Sequence, residues 1–432
     1  DDGMRRAIGL PAVALASVLA LGGCSTMAQQ PGADAGKAGG LATGLGVTRS
    51  EITLGALTDY TGPFSALGLG AVQGSRIWIN ETNAAGGICG RKIELKVRNH
   101  GYDTHHAKIQ YRELEPKVLG LIQILGSPVN AALSPNLTHN ETTAVALSQS
   151  SELLGNPYVI IPGATYDVEI INGLSYLMGQ GKIRDGDTIG HIWVDGEYGA
   201  NGLRGARYFA EKHNLTVRDA KVASTDSDLR NVMTGFAGDP RVTAIALTTT
   251  AAQTASAAQV NQQLGLNVPM VGNSPVFAPQ LLNGPAAGAL GNLSVVASSV
   301  PFSSEVPQAQ HVAQAFQQGS FEGLPNSGVP YGYAVGEIWG QLLQRACNNG
   351  DITRAGIQEA LRQSTNITTD DLVAALDFTK PGAPAAREVY VGVPDAAVPG
   401  GIRQVTPLFV APEARSYAAP HQNGDGPVRF GS

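Results

Sequence analysis

From residue 50 onward, short apolar runs alternate with longer segments in which apolar residues recur at helical spacing. EITLGAL (51–57) reads as a strand, and residues 68–84 carry Val72, Ile77, Trp78 and Ile79 at helical positions before the Gly86-Gly87 pair stops the helix. KIELKVRN (92–99) alternates as a second strand, and residues 104–118 read as a helix. LGLIQIL (119–125) is a continuous apolar run, the pattern of a parallel strand covered on both faces. A helix follows over 128–140, then the strand TAVAL (143–147). Further strands are expected at IGHIWV (189–194), VTAIALT (242–248) and VPMVG (268–272), with helices at 201–213, 252–265 and 333–347. This repeated strand–helix alternation predicts an α/β protein with parallel sheets and helices on both faces.

The ends of the chain have a different texture. Asp1, Asp2 and Gly3 precede Met4 and read as extraneous; Arg5 and Arg6 then open an apolar stretch that ends in Leu21, Gly22, Gly23 and Cys24. That is the layout of a secretory signal peptide, interrupted by Pro11 and too short for a membrane span. The Leu-small-small-Cys ending resembles a bacterial lipobox, so residues 1–23 are expected to be a tag remnant and signal peptide, with Cys24 lipidated. Residues 24–49, rich in Gly, Ala and Gln, read as a flexible tether, and 413–432 as a disordered tail.

About 360 residues remain for the fold, which suggests two domains. An apolar content of 43% with a net charge of −6 fits a globular protein and gives no support for nucleic-acid binding. No phosphate loop of the G-x-x-x-x-G-K-[ST] kind and no G-x-S-x-G elbow occurs. A hydrolase built on Ser127 and His139 is therefore a remote alternative. His100, Asp103, His105 and His106 crowd together, but Asp103 reads as a helix cap and no metal site is assigned.

The segments ITLGALTDYTGPFSALG (52–68), INETNAAGGICGRKIEL (79–95), ILGSPVNAA (124–132), IWVDGEYGANG (192–202) and PYGYAVGEIWGQLLQRA (330–346) resemble, in order and spacing, the periplasmic binding proteins of branched-chain amino-acid (Leu/Ile/Val) type, with the type I solute-binding fold. The resemblance implies two Rossmann-like lobes with parallel central sheets, joined by crossover hinge segments: lobe 1 at 50–168 plus 297–372, lobe 2 at 169–296 plus 373–412. It implies a receptor that performs no catalysis, needs no cofactor, and delivers a small solute to the permease subunits of an ABC importer. The protein is expected to be a monomer, exported and held at the membrane by the lipid on Cys24. A sensory subunit using the same fold is the alternative.

Ligands of open α/β sheets bind beyond the carboxyl ends of the strands, where helices begin. That rule and the resemblance select Ser65, Leu67, Ser127, Ser148, Gln149, Ser150 and Tyr331 from lobe 1, and Tyr198, Thr249, Thr250, Asn273 and Ser274 from lobe 2. Ser127 could equally be a plain helix cap, and Tyr331, placed just before the long 333–347 helix, a packing aromatic. Family members that bind amino acids place an acidic residue where Ser274 stands, to pair with the ligand's ammonium group. No Asp or Glu lies near it in sequence, so either Asp195 or Glu197 takes that role or the ligand lacks an ammonium; the second is favoured, since an unpaired buried ammonium is costly. The ligand is thus expected to be a small polar or carboxylate-bearing molecule, not a standard branched-chain amino acid. Cys89 and Cys347 both fall at the end of lobe 1 away from the cleft, so a disulfide is expected there, with two separate buried thiols as the alternative.

Overall fold

The apolar run at the centre of the first sheet shows why this chain folds as it does. In a computed structural model that describes residues 40–423, every residue of the GLIQIL strand is buried. In chain order the first lobe opens with β1 (Ala42–Thr43), β2 (Glu51–Thr58), α1 (Ser65–Ala84), β3 (Lys92–Asn99), α2 (Thr104–Leu114), β4 (Gly120–Leu125), α3 (Ser127–His139), β5 (Ala144–Leu147) and β6 (Val159–Ile160). The chain then runs through α4 (Tyr166–Gly179), β7 (Thr188–Val194), α5 (Glu197–Lys212), β8 (Thr216–Val222), α6 (Arg230–Ala237), β9 (Val242–Thr248), α7 (Ala251–Gln263), β10 (Met270–Asn273) and β11 (Leu293–Ala297). It ends with α8 (Pro307–Gln318), α9 (Gly328–Asn348), β12 (Asp351–Ile352), α10 (Arg354–Arg362), β13 (Tyr390–Pro394), β14 (Ile402–Gln404) and α11 (Pro412–Ser416).

Two central sheets result. The first has strand order β3-β2-β4-β5-β6 and is wholly parallel. The second has order β14-β13-β11-β10-β9-β7-β8, parallel except for β13 and β14, which add antiparallel at one edge. The single polar residue of β4, Gln123, is tolerated because its amide donates to Ala71 O and Ser75 Oγ of α1. Helices α1 and α9 pack closely over this sheet. A Cβ on Gly74 would lie 2.0 Å from Val329 O, and one on Gly332 2.0 Å from Ala71 O, so only glycine permits the approach.

The chain passes between the two cores three times. Ile160 belongs to the first core and Ala164 to the second; Val296 lies in the second and Val300 in the first; Ala386 lies in the first and Val389 in the second. The first crossing therefore precedes α4, earlier than the expected boundary at 168. The last falls after Ala386, later than 372, because Leu372, Val373 and Leu376 pack on the first core. The tail expected from 413 also differs over its described part: Ala414, Tyr417 and Ala419 are buried on the second lobe. Arg387 fixes it by donating to Ala414 O and Tyr417 O at 2.7 and 2.6 Å, and Tyr417 Oη donates to Asp167 at 2.7 Å. These partners are remote in sequence, so local composition could not announce them. Residues 1–39 and 424–432, including Cys24, lie outside the described residues.

Cys89 and Cys347 are joined as a disulfide with Cα atoms 5.9 Å apart. No helix of the described residues is long and apolar enough to cross a membrane.

Candidate functional site

Three loops of the first lobe converge on the cleft. After β2, the buried carboxylate of Asp59 accepts hydrogen bonds from the backbone N–H groups of Thr61, Gly62 and Phe64, which winds the loop and aims Phe64 and Leu67 inward. After β4, Gly126 adopts φ 103° and starts α3 with no side-chain cap, leaving first-turn N–H groups available beside Ser127. After β5 come Ser148 and Gln149; Gln149 Nε2 donates to Tyr331 Oη at 3.0 Å. From the second lobe, Tyr198 enters on the first turn of α5 and Ser274 follows β10. Phe64 and Tyr198 meet edge-on with centroids 5.9 Å apart, so the lobes touch across the cleft.

The cleft divides into three adjoining compartments that all reach Leu67. An aromatic one of about 250 Å³ is walled by Phe64, Tyr102, Tyr166 and Tyr198, with Ser127 at its end. A middle one of about 470 Å³, open solvent included, carries Gln149, Ser298, Ser299 and Tyr331. The third, distal compartment, about 530 Å³ on the same measure, is lined by Phe277, Pro279, Val295, Tyr390 and Ile402 among others. No Lys, Arg, His, Asp or Glu side chain lines any of the three. Burial holds the phenols of Tyr102, Tyr166, Tyr198, Tyr331 and Tyr390 well above their ordinary pKa, so each is a neutral hydroxyl.

Of the residues selected from sequence, Leu67, Ser127, Gln149, Tyr198, Ser274 and Tyr331 line this cleft. Tyr331 lies inside α9, which begins at Gly328, not before the helix as expected. The other six do not line it. Ser65 is the first residue of α1. Ser148 stands one layer back, its hydroxyl bonded to that of Ser127. Ser150 Oγ is buried without a partner. Thr249 bonds Thr254 at 2.9 Å, and Thr250 forms a capping box with Gln253, so both hold α7. Asn273 accepts from Thr248 Oγ1 and donates to Tyr166 O.

Asp195 and Glu197 do not line the cleft compartments. They line a separate surface depression with Glu152, Trp193 and Arg204, and Asp195 lies 3.8 Å from Lys221. The acid beside Ser274 is instead Glu169 of α4: its Oε1 accepts from Asn273 Nδ2 at 3.0 Å and from Ser274 N at 3.4 Å, while Oε2 is buried with no partner. Burial pushes its carboxyl up to about 8, against the pull of the hydrogen bonds from Asn273 and Ser274. With the cleft empty, the carboxyl is thereby biased toward its neutral form.

Sequence reasoning missed Phe64, Tyr102, Tyr166, Glu169, Ser298 and Ser299. Ser298 and Ser299 follow β11 as Ser148 follows β5, so the strand-end rule would have found them had LSVVA been read as a strand. Ser299 Oγ is buried without a partner in the middle compartment. Ser127 and His139 occupy opposite ends of α3, about 18 Å apart at 1.5 Å per residue, so they form no catalytic pair. The histidine cluster forms no metal site among the described residues: Asp103 caps α2 by accepting from His106 N, and His100 Nδ1 accepts from Tyr102 N.

The family profile described as periplasmic binding protein matches residues 51–397, most of the chain. The chain belongs to the periplasmic binding protein family. Among curated relatives, this periplasmic binding protein is 34% identical over 134 residues to Leu/Ile/Val-binding protein homolog 7 of Brucella suis, a stretch covering 31% of this chain and 30% of that protein. It is 32% identical over 128 residues to homolog 8 of Brucella abortus, covering 30% and 28%. These matches thus span less than a third of the relatives' length. A solved fatty acid ABC transporter substrate-binding protein from Thermomonospora curvata is similar over 88% of this chain and 97% of its own, with TM-score 0.85 and 34% identity. A branched chain amino acid ABC transporter from Thermus thermophilus with bound valine shares the fold, with TM-score 0.74 over 85% and 99% of the two chains, at 17% identity. The family and these neighbours are solute-binding proteins.

Proposed function

We propose that this protein is the extracytoplasmic receptor of an ABC importer and that its ligand is an amphiphilic carboxylate with an aliphatic tail. The observation that carries the reading is the lining of the cleft: largely apolar and free of ionised side chains, with Gln149, Ser298, Ser299 and Tyr331 forming a polar pole in the middle compartment, while Ser274, Asn326 and Ser327 are the polar residues of the distal one. A zwitterionic amino acid would leave its ammonium without an anion there, at a cost of several kcal/mol, of order 3 to 5 for a charge left unpaired in a buried site. A lone carboxylate needs only donors. Ser127 with the uncapped start of α3, the Tyr331 hydroxyl, which uses its oxygen to accept from Gln149 and keeps its proton to give, and the unpartnered Ser299 hydroxyl supply them. The name of the Thermomonospora curvata neighbour, a fatty acid substrate-binding protein, supports the same ligand class.

The ligand narrows the sequence-based expectation of a small polar or carboxylate-bearing molecule toward one whose bulk is apolar. Lipidation of Cys24 would tether the receptor beside its permease; Cys24→Ala should release it from the membrane fraction, and an unchanged distribution would remove the anchor from the reading. The ligand assignment is tested by calorimetry with straight-chain carboxylates, the corresponding primary amines, and leucine, isoleucine and valine. Carboxylates should bind and the others should not. Tight binding of leucine with none of the carboxylates would reject it.

A further inference from the structure

Leu67 lines all three compartments, and Ser274, Ala297 and Ser327 each line both the middle and the distal one. These four residues form a waist between the polar pole and the apolar end. Three of them are small, which keeps the passage open. Ala297 ends β11 and is paired in register with Tyr390 of β13, so its position is fixed by the sheet and not by a mobile loop. Beyond the waist the back wall is Phe277 and Ile402 with the β13–β14 hairpin. Gly400 and Gly401 turn there in the left-handed region, at φ 80° and 77°, and a Cβ on Gly401 would sit 3.2 Å from the Phe277 ring.

We propose that the compartment beyond Ala297 is a tail-length selector, with Ala297 as its gate and Phe277 as its end wall. This rests on the reading of the ligand as an amphiphilic carboxylate. With the acid group fixed at Ser299 and Tyr331 in the middle compartment, a short tail ends there and a longer one passes Ala297 to lie against Val295, Phe277 and Ile402. Each methylene that crosses the waist leaves water for an apolar wall, which tightens binding about fourfold. The gain stops where the tail meets Phe277. The lobe 2 residues 274–279 and 400–402, not the polar pole, then decide which members of a homologous series are captured.

The test is a calorimetric titration of straight-chain carboxylates of increasing length against the full chain, Ala297→Leu and Phe277→Ala. In the wild type the dissociation constant should fall about fourfold per methylene and then level off. Ala297→Leu should weaken longer binders progressively more than the shortest ones, so that the gain with length is lost. Phe277→Ala should move the levelling-off to longer chains. The proposal is overturned if wild-type affinity is flat with length, or if Ala297→Leu, melting at the wild-type temperature, weakens every length by one factor. Should Ala297→Leu fail to fold, Phe277→Ala decides alone, and an unmoved plateau overturns the proposal. If no straight-chain carboxylate binds the wild type at any length, the ligand reading itself fails; binding without length dependence removes only the selector.

Discussion

Replacing Glu169 by Gln should make the protein more stable in mild alkali while leaving it almost unchanged in acid. Glu169 is 1% exposed, its Oε2 has no partner, and burial raises its pKa from 4.5 to about 8. Below pH 4.5 the carboxyl is protonated in both folded and unfolded chains, and the full contribution of the neutral group is present. As pH rises the unfolded chain releases the proton first, and stability falls until the folded carboxyl ionises near pH 8. A shift of roughly three to four units at about 1.4 kcal/mol each gives a loss of order 4 to 5 kcal/mol across that window, an upper figure because a buried site relaxes. Glutamine keeps an oxygen to accept from Asn273 and Ser274 N and cannot ionise. Urea unfolding of both proteins from pH 4 to 9 measures the effect as the difference between them at each pH. Glu337, also pushed up to about 8 by burial first and then by Asp370, contributes equally to both curves and cancels. A difference that stays constant with pH would refute the reasoning, since it would mean Glu169 does not titrate differently on folding.

Three further outcomes follow from other parts of the fold. Asp59→Ala strands three backbone N–H groups in the loop that carries Phe64 and Leu67; stability should drop by roughly 2 to 4 kcal/mol and ligand affinity should fall with it, and intact affinity would show that the loop is held by other contacts. Arg354 donates to Glu115 Oε1 at 2.6 Å and to the carbonyls of Glu115, Asn140 and Val118 away from the cleft, so Arg354→Ala should cost about 3 to 5 kcal/mol in denaturant unfolding with ligand affinity unchanged. The bond between Cys89 and Cys347 closes a separation of 258 residues within the first lobe; changing both to Ser should lower stability by about 2 to 5 kcal/mol without altering affinity, and an unchanged melting temperature would show that the crosslink constrains little.

The parts of this architecture that were legible in the sequence are those written in local pattern. β4 announces itself as an apolar run because helices cover both of its faces, with the buried Gln123 its sole polar interruption. The start of α3 is visible because Gly126, Ser127 and Pro128 satisfy the requirements of a strand-to-helix turn in three consecutive letters. β13 and β14 were not legible. They run antiparallel at an edge, separated from the rest of their sheet by more than 90 residues, and what makes them strands is the pairing of β13 with β11 and of β14 with β13.

The site shows the same division more sharply, because the rule that finds it fixes a height and not a direction. Every residue just past a strand's carboxyl end stands at the level of the cleft, but its side chain can turn into the cleft or back into the helix it precedes. Ser127 and Ser274 turn in. Thr249 and Thr250 satisfy the same rule and turn back, since α7 has no other cap and Gln253 completes the box. The aromatic wall escaped in large part for a different reason: Tyr198 was selected, but Phe64, Tyr102 and Tyr166 come from separate loops and helix starts, and it is the contact of Phe64 with Tyr198 that joins the first-lobe pair Phe64–Tyr102 to the second-lobe pair Tyr166–Tyr198. Glu169 is the extreme case. It lies 105 residues before Ser274, on the helix that follows the first crossing, so the acid that seemed missing from the segment GNSPVF was present in the fold. Its burial biases it toward the neutral form in the empty cleft. The proposal that the ligand carries no ammonium therefore rests on the uncharged lining of the cleft, a property of three-dimensional packing, and not on the absence of an acidic letter.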